Sequence, residues 1–301
     1  MDQASNLRKL MADKKGASEI RKKSLLQAAA SEKPPTRVIA IASGKGGVGK
    51  TNLAINMGIM FARESKNVIV MDADLGLANV NVILGIIPKY NLYHVMKGQK
   101  KLSEIMIDTP QGIQIIAGAS GFSRLANLSD EEREKFVASM SELSSADVLI
   151  IDTGAGVSRN VLSFVLAADE AVIVTTPEPT AITDAYGIIK SISTESSGII
   201  TKLVVNRVTS FIEGKQVADR VINIAGQFLN VRVENLGMVF EDEAVLKSVR
   251  KQRPFVEAYP KSRVAASVDH IVKRLLNIES SRKSRGLSRF FRKFLSIYKE
   301  D

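Results

Sequence analysis

Cysteine is absent from the sequence, and histidine occurs only twice, as His94 and His270. A chain without thiols cannot form a disulfide, a thiolate-ligated metal site or a cysteine nucleophile, and two histidines are too few for a histidine-rich metal centre. No apolar run reaches about 18 residues, the length that a bilayer-spanning helix needs. Residues 1–16 are polar and charged, unlike a signal peptide. We therefore expect a cytoplasmic location.

Positive charge is concentrated at the two ends of the chain, whose 301 residues have a net charge of +10. Residues 1–37 have a net charge of +5 and residues 273–301 a net charge of +6, which leaves residues 38–272 at −1. A protein that binds duplex DNA normally presents a basic face on its folded body. The distribution argues against direct nucleic-acid binding and favours two tails that each meet an acidic partner.

Short apolar runs alternate with helical patterns through the middle of the chain. The pattern predicts strands at 38–42, 68–71, 113–117, 148–151, 172–174, 203–205 and 236–239. It predicts helices at 52–64, 130–143, 158–168, 181–193, 214–229 and 262–278. Strands that are apolar on both faces indicate an α/β fold, a mostly parallel sheet with helices on both faces. We predict a mobile basic arm at 1–36, one folded domain at 37–278, and a basic linker with a terminal helix at 279–301.

A glycine-rich segment between the first strand and the first helix fits G-x-x-x-x-G-K-[ST], the phosphate-binding P-loop. Glycines let backbone N–H groups turn towards phosphate oxygens at the positive end of the following helix. We expect Lys50 to reach the β- and γ-phosphates and the Thr51 hydroxyl to bind Mg²⁺. The predicted nucleotide-binding residues of this segment are Gly44, Lys45, Gly46, Gly47, Val48, Gly49, Lys50, Thr51 and Asn52.

The additional lysine in the run SGKGG, residues 43–47, resembles the signature lysine of the deviant Walker A ATPases, the MinD/ParA class. The resemblance implies a P-loop NTPase that uses ATP and Mg²⁺ and forms an ATP-sandwich homodimer. It also implies that Lys45 reaches the phosphates bound by the partner subunit, much as an arginine finger does, in a slow hydrolysis activated by the dimer. The alternative for Lys45 is a solvated loop lysine.

Two carboxylates, Asp72 and Asp74, end the second predicted strand, where open α/β sheets bind ligands. In the family this pair begins switch I. The resemblance implies that Asp74 is catalytic and positions the attacking water, and that Asp72 supports Mg²⁺ through water ligands. Taken alone, either carboxylate could instead cap a helix.

Four apolar residues followed by Asp-x-Gly, at 148–154, resemble Walker B with switch II. The resemblance implies that Asp152 holds the Mg²⁺ shell and that Gly154 senses the γ-phosphate through its N–H. A strand-ending turn is the alternative. The loop TTPEPT, at 175–180, resembles the loop beside the dimer face of the family.

Residues for the base are predicted after the last two strands. An Asn side chain can pair with both the donor and the acceptor of an adenine edge, and in the family the position of Asn206 contacts adenine. Its neighbour Arg207 and the segment Phe240, Glu241 and Asp242 match the lining of the base pocket. A turn residue is the alternative for Asn206.

The segment 286–299 predicts a strongly amphipathic helix with a cationic face. Such a helix is typical of an in-plane anchor on an anionic membrane surface. Docking on the protein's own core and nucleic-acid binding are the alternatives. The predicted membrane-facing residues are Leu287, Phe290, Phe291, Phe294, Leu295 and Tyr298.

The first ten residues predict a short helix that folds only on a partner. Asp2, Gln3, Ala4, Leu7 and Arg8 resemble the N-terminal motif of the FlhG (FleN/YlxH) family, MinD-like regulators of flagellar number. The resemblance implies action on an FlhF-type, signal-recognition-particle-type GTPase and on C-ring proteins of the flagellar basal body. A chance match in an unstructured tail is the alternative.

Three other functions stay open on the sequence alone. A MinD-type regulator of the division site shares the core and a terminal amphipathic helix but lacks such an N-terminal arm. A ParA-type DNA segregation ATPase would carry a basic folded surface, which residues 38–272 do not. A nucleotide-locked scaffold for basal-body components would bind ATP without needing turnover.

Overall fold

The computed structural model describes residues 34–74, 80–118, 130–195, 198–277 and 286–299. From Pro35 onward the described residues form one compact unit, the larger of the two into which the chain divides. The larger unit includes the C-terminal helix, which the sequence predicts as a segment of its own. Within the described part of the chain, no helix is both long and apolar enough to cross a membrane.

A single sheet of eight strands forms the centre of the described residues. Its order is β3-β4-β2-β5-β1-β6-β7-β8, and every neighbouring pair is parallel except β3 with β4. This arrangement confirms the predicted mostly parallel α/β sheet. The strands are β1 Arg37–Ser43, β2 Val68–Ala73, β3 Met106–Asp108, β4 Ile113–Ile116, β5 Val148–Ala155, β6 Glu170–Thr175, β7 Ile200–Val208 and β8 Val233–Phe240.

Helices cover both faces of this sheet. The longer ones fall where the apolar pattern predicts them, whereas the helices of four to eight residues are too short to show a period. A 3₁₀ turn, Met140–Ser145, extends α5. The described helices are α1 Lys50–Arg63, α2 Val80–Leu84, α3 Leu92–Met96, α4 Leu102–Ile105, α5 Asp130–Ser139, α6 Arg159–Ala167, α7 Pro179–Glu195, α8 Phe211–Leu229, α9 Glu243–Arg250, α10 Phe255–Ala258, α11 Arg263–Asn277 and α12 Leu287–Lys299.

Alternation along the strands divides the core between the two faces of the sheet. In β1, Val38 and Ala40 belong to the core that contains residues of α6, α7, α8 and α12. Ile39 and Ile41 belong to the opposite core, which contains residues of α1 and α11. Both faces of the central strands are therefore buried, which is the reason that they are apolar throughout.

The carboxyl ends of the strands bring together segments that are far apart in the sequence. Asp72 of β2 lies opposite Asp152 of β5, and Ser43 of β1 lies opposite Ala155. Parallel pairing places these strand ends at the same edge, beside the first turn of α1. This edge is the one at which open α/β sheets hold ligands.

Candidate functional site

The glycine loop between β1 and α1 has the backbone shape that phosphate binding requires. Gly47 and Gly49 have φ values of 76° and 98°, a region that side chains with a Cβ rarely enter. At Gly44 a Cβ would lie 2.1 Å from the carbonyl oxygen of Asp184 in α7. Only glycine fits here, and the loop therefore packs directly against α7 with its amides turned towards the head of α1.

Lys50 is the first residue of α1, and its side chain is buried. Burial lowers the pKa of this ammonium, and the carboxylates of Asp152 and Asp74 oppose that shift. The pKa of Lys50 stays below its ordinary value despite these two carboxylates, so its charge is not fully compensated. The phosphate oxygens of a bound nucleotide would supply further negative charge.

The carboxylate of Asp152 is the group in this site that is best suited to bind a cation. This carboxylate is fully buried, and neither oxygen has a hydrogen-bond partner with acceptable geometry among the described residues. Burial raises its pKa to about 7, with the Thr51 hydroxyl opposing the rise, Asp72 adding to it and Lys50 opposing it. An unpaired buried carboxylate beside a hydroxyl and a phosphate loop suits a hard cation such as Mg²⁺.

The other two strand-end carboxylates have different surroundings. Both oxygens of Asp72 accept backbone bonds, one from Asp74 N at 3.0 Å and one from Val80 N at 3.3 Å. The bond from Val80, the first residue of α2, corresponds to the helix-capping alternative for Asp72. Both bonds connect the Asp72 carboxylate to the backbone of the segment that follows β2. Asp74 lies next to Gly154, because a Cβ on Gly154 would be 3.5 Å from its carboxylate oxygen.

Among the described residues, no cluster of three or more carboxylate or imidazole side chains could hold a metal by itself. A Mg²⁺ ion at Asp152 and Thr51 would therefore take its remaining ligands from phosphate oxygens and water. Mg²⁺ keeps such ligands readily, whereas Ca²⁺ prefers more protein oxygens.

Lys45 belongs to the phosphate loop, but its side chain bonds to a different segment of the chain. Its ammonium donates to Glu178 Oε2 at 2.7 Å and to Thr180 Oγ1 at 2.8 Å, both in the 175–180 loop and the start of α7. The Lys45 ammonium lowers the pKa of Glu178 through this bond. The sequence did not indicate this contact, because the two residues are more than a hundred positions apart.

A cavity of about 330 Å³ opens beside the first turn of α1, a size typical of small-molecule sites. It is lined by seven of the predicted residues: Gly49, Asn52, Asn206, Arg207, Phe240, Glu241 and Asp242. Sequence reasoning missed its apolar wall. That wall consists of Leu53, Val239, Val245, Leu246, Val249, Phe255, Val264 and Val268.

Val245, Leu246 and Val249 share one face of α9, but a helix of eight residues is too short to be predicted from its pattern, so the sequence offered no usable signal for this wall. Asp242 begins this helix, since its Oδ1 accepts from Ala244 N at 2.9 Å. Its carboxylate is therefore a helix cap, and its backbone borders the cavity.

Two predicted base-pocket residues bind the phosphate loop itself. Asn206 Nδ2 donates to Val48 O at 2.7 Å, and Arg207 Nη2 donates to Gly47 O at 2.9 Å. Arg207 has a positive φ of 59°, which turns its side chain back over the loop. The amide that the sequence predicts to read adenine is thus committed to a loop carbonyl in this state.

The amphipathic helix α12 is docked on the core. Its apolar residues Leu287, Phe290, Phe291, Phe294 and Leu295 are buried, and the Phe294 ring stacks on Phe164 of α6 at 4.3 Å between centroids. The side chain of Tyr298 lies outside the described residues, as do Asp2, Gln3, Ala4, Leu7 and Arg8. Arg159 at the start of α6 donates to Ile297 O, at 3.1 Å from Nε.

A glycine loop between the first strand and the first helix, a buried carboxylate at a strand end and a base-sized cavity beside the loop define a P-loop nucleotide-binding protein of the α/β type. Over residues 39–255 the sequence matches the family described as the CobQ/CobB/MinD/ParA nucleotide binding domain. The chain belongs to this family.

Two relatives are similar over most of their length. The antiactivator FleN of Pseudomonas aeruginosa is 36% identical over 258 residues, which cover 85% of this chain and 92% of FleN. The flagellum site-determining protein YlxH of Helicobacter pylori is 35% identical over 266 residues, 86% of this chain and 90% of YlxH. These matches confirm the predicted resemblance to the FlhG-like group.

The fold has a solved counterpart. The septum site-determining protein MinD of Pyrococcus horikoshii, determined in complex with Mg-ADP, superposes with a TM-score of 0.65 at 24% identity. The alignment covers 83% of this chain and 99% of that protein. It confirms the predicted P-loop architecture.

Proposed function

We propose that this chain is a slow Mg²⁺-dependent ATPase that dimerises on ATP and regulates the number or placement of flagella at the inner face of the cell membrane. The observation that carries the nucleotide part is the buried, unpaired carboxylate of Asp152 beside Lys50 and Thr51. The flagellar part is supported by the similarity to FleN and YlxH. An FlhF-type GTPase and C-ring proteins are the proposed partners.

In this proposal, each residue of the site has a separate role in hydrolysis. Backbone amides of the glycine loop orient the phosphates, and Lys50 neutralises the charge that develops on them. When bound at Asp152 and Thr51, Mg²⁺ supplies further charge stabilisation on the phosphate oxygens. Asp74, next to Gly154, orients the attacking water on the side of switch II.

The position of Lys45 supports its predicted action across a dimer. In the isolated chain its ammonium is bonded to Glu178 and Thr180, which belong to a different segment from the phosphate loop. A lysine that reaches only the partner's phosphates gives low activity to the monomer and higher activity to the dimer.

Size-exclusion chromatography tests the switch. We expect a dimer of the Asp74→Ala variant with ATP and Mg²⁺, and monomers with ADP or without nucleotide. Lys45→Ala in the same background should prevent the dimer, whereas Lys66→Ala, at an exposed position far from the loop, should not. A monomer under saturating ATP would refute the dimeric switch.

Membrane binding needs the release of α12, because the apolar face that would enter lipid is the face now buried on α6. Helix α6 begins five residues after Gly154, so a change in switch II directly affects the surface on which α12 packs. We propose that ATP-driven dimerisation frees the helix, and that two helices on one dimer bind anionic lipid by avidity.

A substitution on the core side of this contact separates docking from lipid binding. Phe164→Ala should open a cavity under α12, at about 3 kcal/mol, and raise vesicle binding of the nucleotide-free protein. Phe61→Ala removes an equally buried ring from the opposite core and should leave vesicle binding unchanged. Sedimentation with anionic vesicles measures both; equal binding of the two variants would refute the release step.

The N-terminal residues 2–8 carry the proposed contact with a GTPase partner. Deleting residues 2–11 should leave basal ATP hydrolysis intact and abolish stimulation of an FlhF-type GTPase. Loss of both activities, or of neither, would remove this assignment.

A further inference from the structure

A second groove lies outside the nucleotide site, on the far edge of the sheet. It follows the outer edge of β8, the last strand of the described sheet, between α8 and α11, and has a volume of about 500 Å³. Phe240 lines both this groove and the base cavity. We call it the β8 groove.

The β8 groove is positively charged. Its lining contains three cations, Lys215, Arg263 and Arg274, and one carboxylate, Asp219, which is paired with Lys215 at 3.0 Å. Arg263 lies 4.3 Å above the Phe240 ring, so one charge also stacks on an aromatic wall. Two of these cations, Lys215 and Arg263, belong to residues 38–272, whose net charge as a whole is −1.

Apolar surface accompanies this charge. Phe211 at the start of α8 is 63% exposed, and Met238 of β8 forms part of the floor. An exposed aromatic ring beside a groove is costly for a free monomer and typical of a binding surface.

The strand edge in the β8 groove offers an acceptor without a donor. The Asn235 Oδ1 atom is buried and has no hydrogen-bond partner among the described residues. A bulge in β8 follows it, because Leu203 and Val204 of β7 pair with Asn235 and Gly237 and skip Leu236. Bulges in edge strands redirect side chains towards partners, and a backbone N–H of an incoming peptide would satisfy Asn235.

We propose that the β8 groove binds a short acidic segment of another protein that also carries a large apolar side chain. Carboxylates would pair with Lys215, Arg263 and Arg274, the apolar side chain would cover Phe211 and Met238, and a peptide N–H would reach Asn235. The chain's own ends are poor occupants, since residues 1–37 and 273–301 are both strongly basic. Duplex DNA offers phosphates but keeps its bases stacked inside the helix, so it has no counterpart for Phe211 and Met238. This proposal does not depend on the proposed function.

A selection experiment tests the chemistry without assuming a partner. Short random peptides would be selected on the full-length chain and counter-selected on the Lys215→Glu, Arg274→Glu variant. We expect the enriched peptides to be acidic and to contain at least one large apolar residue. Fluorescein-labelled copies would then be titrated by anisotropy, and their affinity should fall with rising salt.

Matched variants locate the binding. The double reversal Lys215→Glu, Arg274→Glu should weaken the acidic peptides by about tenfold or more, and Phe211→Ser should weaken them by a smaller factor. Lys66→Glu with Lys89→Glu makes the same change of charge at exposed lysines outside the groove and should leave their affinity unchanged. Melting curves and ATP titrations check that each variant is folded.

Several outcomes overturn the proposal. Enrichment of basic or uncharged peptides would contradict the charge argument. Equal affinity for both double variants would place the peptides elsewhere. Displacement by duplex DNA or by anionic vesicles at low concentration would show that the surface recognises phosphate rather than a peptide.

Discussion

Buried carboxylates occur at both ends of the sheet, and they differ in whether neighbouring side chains compensate their charge. At the amino edge Glu170 is enclosed by two cations, with Arg37 Nη2 at 2.9 Å and Lys202 Nζ at 2.5 Å. At the carboxyl edge Asp152 is equally buried but has no donor among the described residues. The same sheet therefore carries one closed ionic cluster and one open one.

The contrast distinguishes a charged cluster that stabilises the fold from one that is suited to bind a ligand. The amino-edge cluster ties β1, β6 and β7 together, and Arg37 also donates to Leu275 O at 2.8 Å, which joins the end of α11 to the sheet. Nothing is left for a ligand there. Under the proposed function, a nucleotide and a cation would compensate the carboxyl-edge cluster, whose uncompensated charge lowers the stability of the folded chain.

The strongest test of this contrast is Glu170→Gln. The buried Lys202 and the half-buried Arg37 would lose their counterion, and we expect a loss of about 3–5 kcal/mol in the free energy of unfolding. Urea titration measures it. Glu170→Leu with Lys202→Met should recover part of the loss, since paired apolar replacement removes both charges; a silent Glu170→Gln would show that the cluster does not stabilise the fold.

In the wild-type chain, the contribution of the Glu170 cluster to stability should depend on pH in the acid range. Burial alone would raise the pKa of Glu170, but Arg37 and Lys202 reverse the shift and hold it below the ordinary value. A lowered pKa means that this contribution is present above the unfolded pKa of about 4.5 and is lost as the pH falls through the folded pKa.

Asp152→Asn should stabilise the nucleotide-free protein, whereas Glu170→Gln should destabilise it. The pKa of Asp152 is raised to about 7, so the folded state keeps a proton that the unfolded chain has already released. Stability therefore falls as the pH rises from about 4 to 7, and at pH 8 the variant should be more stable by on the order of 3 kcal/mol.

Melting curves without nucleotide measure this gain, and it should vanish below about pH 4. The same variant should lose the Mg²⁺ dependence of ATP binding. A less stable Asn variant at pH 8 would contradict the view that this carboxylate is an uncompensated buried charge.

Lys50→Ala should affect activity more than folding. The ammonium is buried and its pKa is lowered by that burial, so its loss costs little stability. We expect ATP hydrolysis to fall by at least about 100-fold, roughly 2.7 kcal/mol. Steady-state phosphate release measures it, with Lys66→Ala as control; retained hydrolysis would exclude the loop as the phosphate site.

The smallest effect is expected at the exposed pair of Lys45 and Glu178. Glu178→Gln should leave the melting temperature unchanged, because solvated ion pairs contribute little. At limiting ATP it should slightly raise the dimer fraction, since Lys45 would then leave only neutral acceptors, the Thr180 hydroxyl and the new amide, in its own chain. A clear loss of stability would show that this contact is structural.

Some parts of the site followed directly from residue patterns. The run from Gly44 to Thr51 fixes a phosphate loop because only glycine tolerates its backbone and its contact with α7. Apolar runs ending in Asp predicted β2 and β5 correctly, since strands buried on both faces have no polar positions except at their ends. The same local rules predicted the amphipathic character of α12.

Other parts needed contacts between distant segments. The capping role of Asp72, the hold of Glu178 on Lys45, and the apolar wall from α9 and α11 all join residues that no short pattern links. An amphipathic pattern likewise specifies a buried face without specifying what buries it, and here that neighbour is α6 rather than lipid.

Local chemistry was enough to identify the sheet, the phosphate loop and the acidic strand ends, because glycine conformation, strand burial and residue type act within a few positions. Packing decided which buried charges are neutralised, with Glu170 paired by cations from two other strands and Asp152 left open. Pairing in space depends on the register of strands far apart in the chain, and that register arises only when the whole core forms.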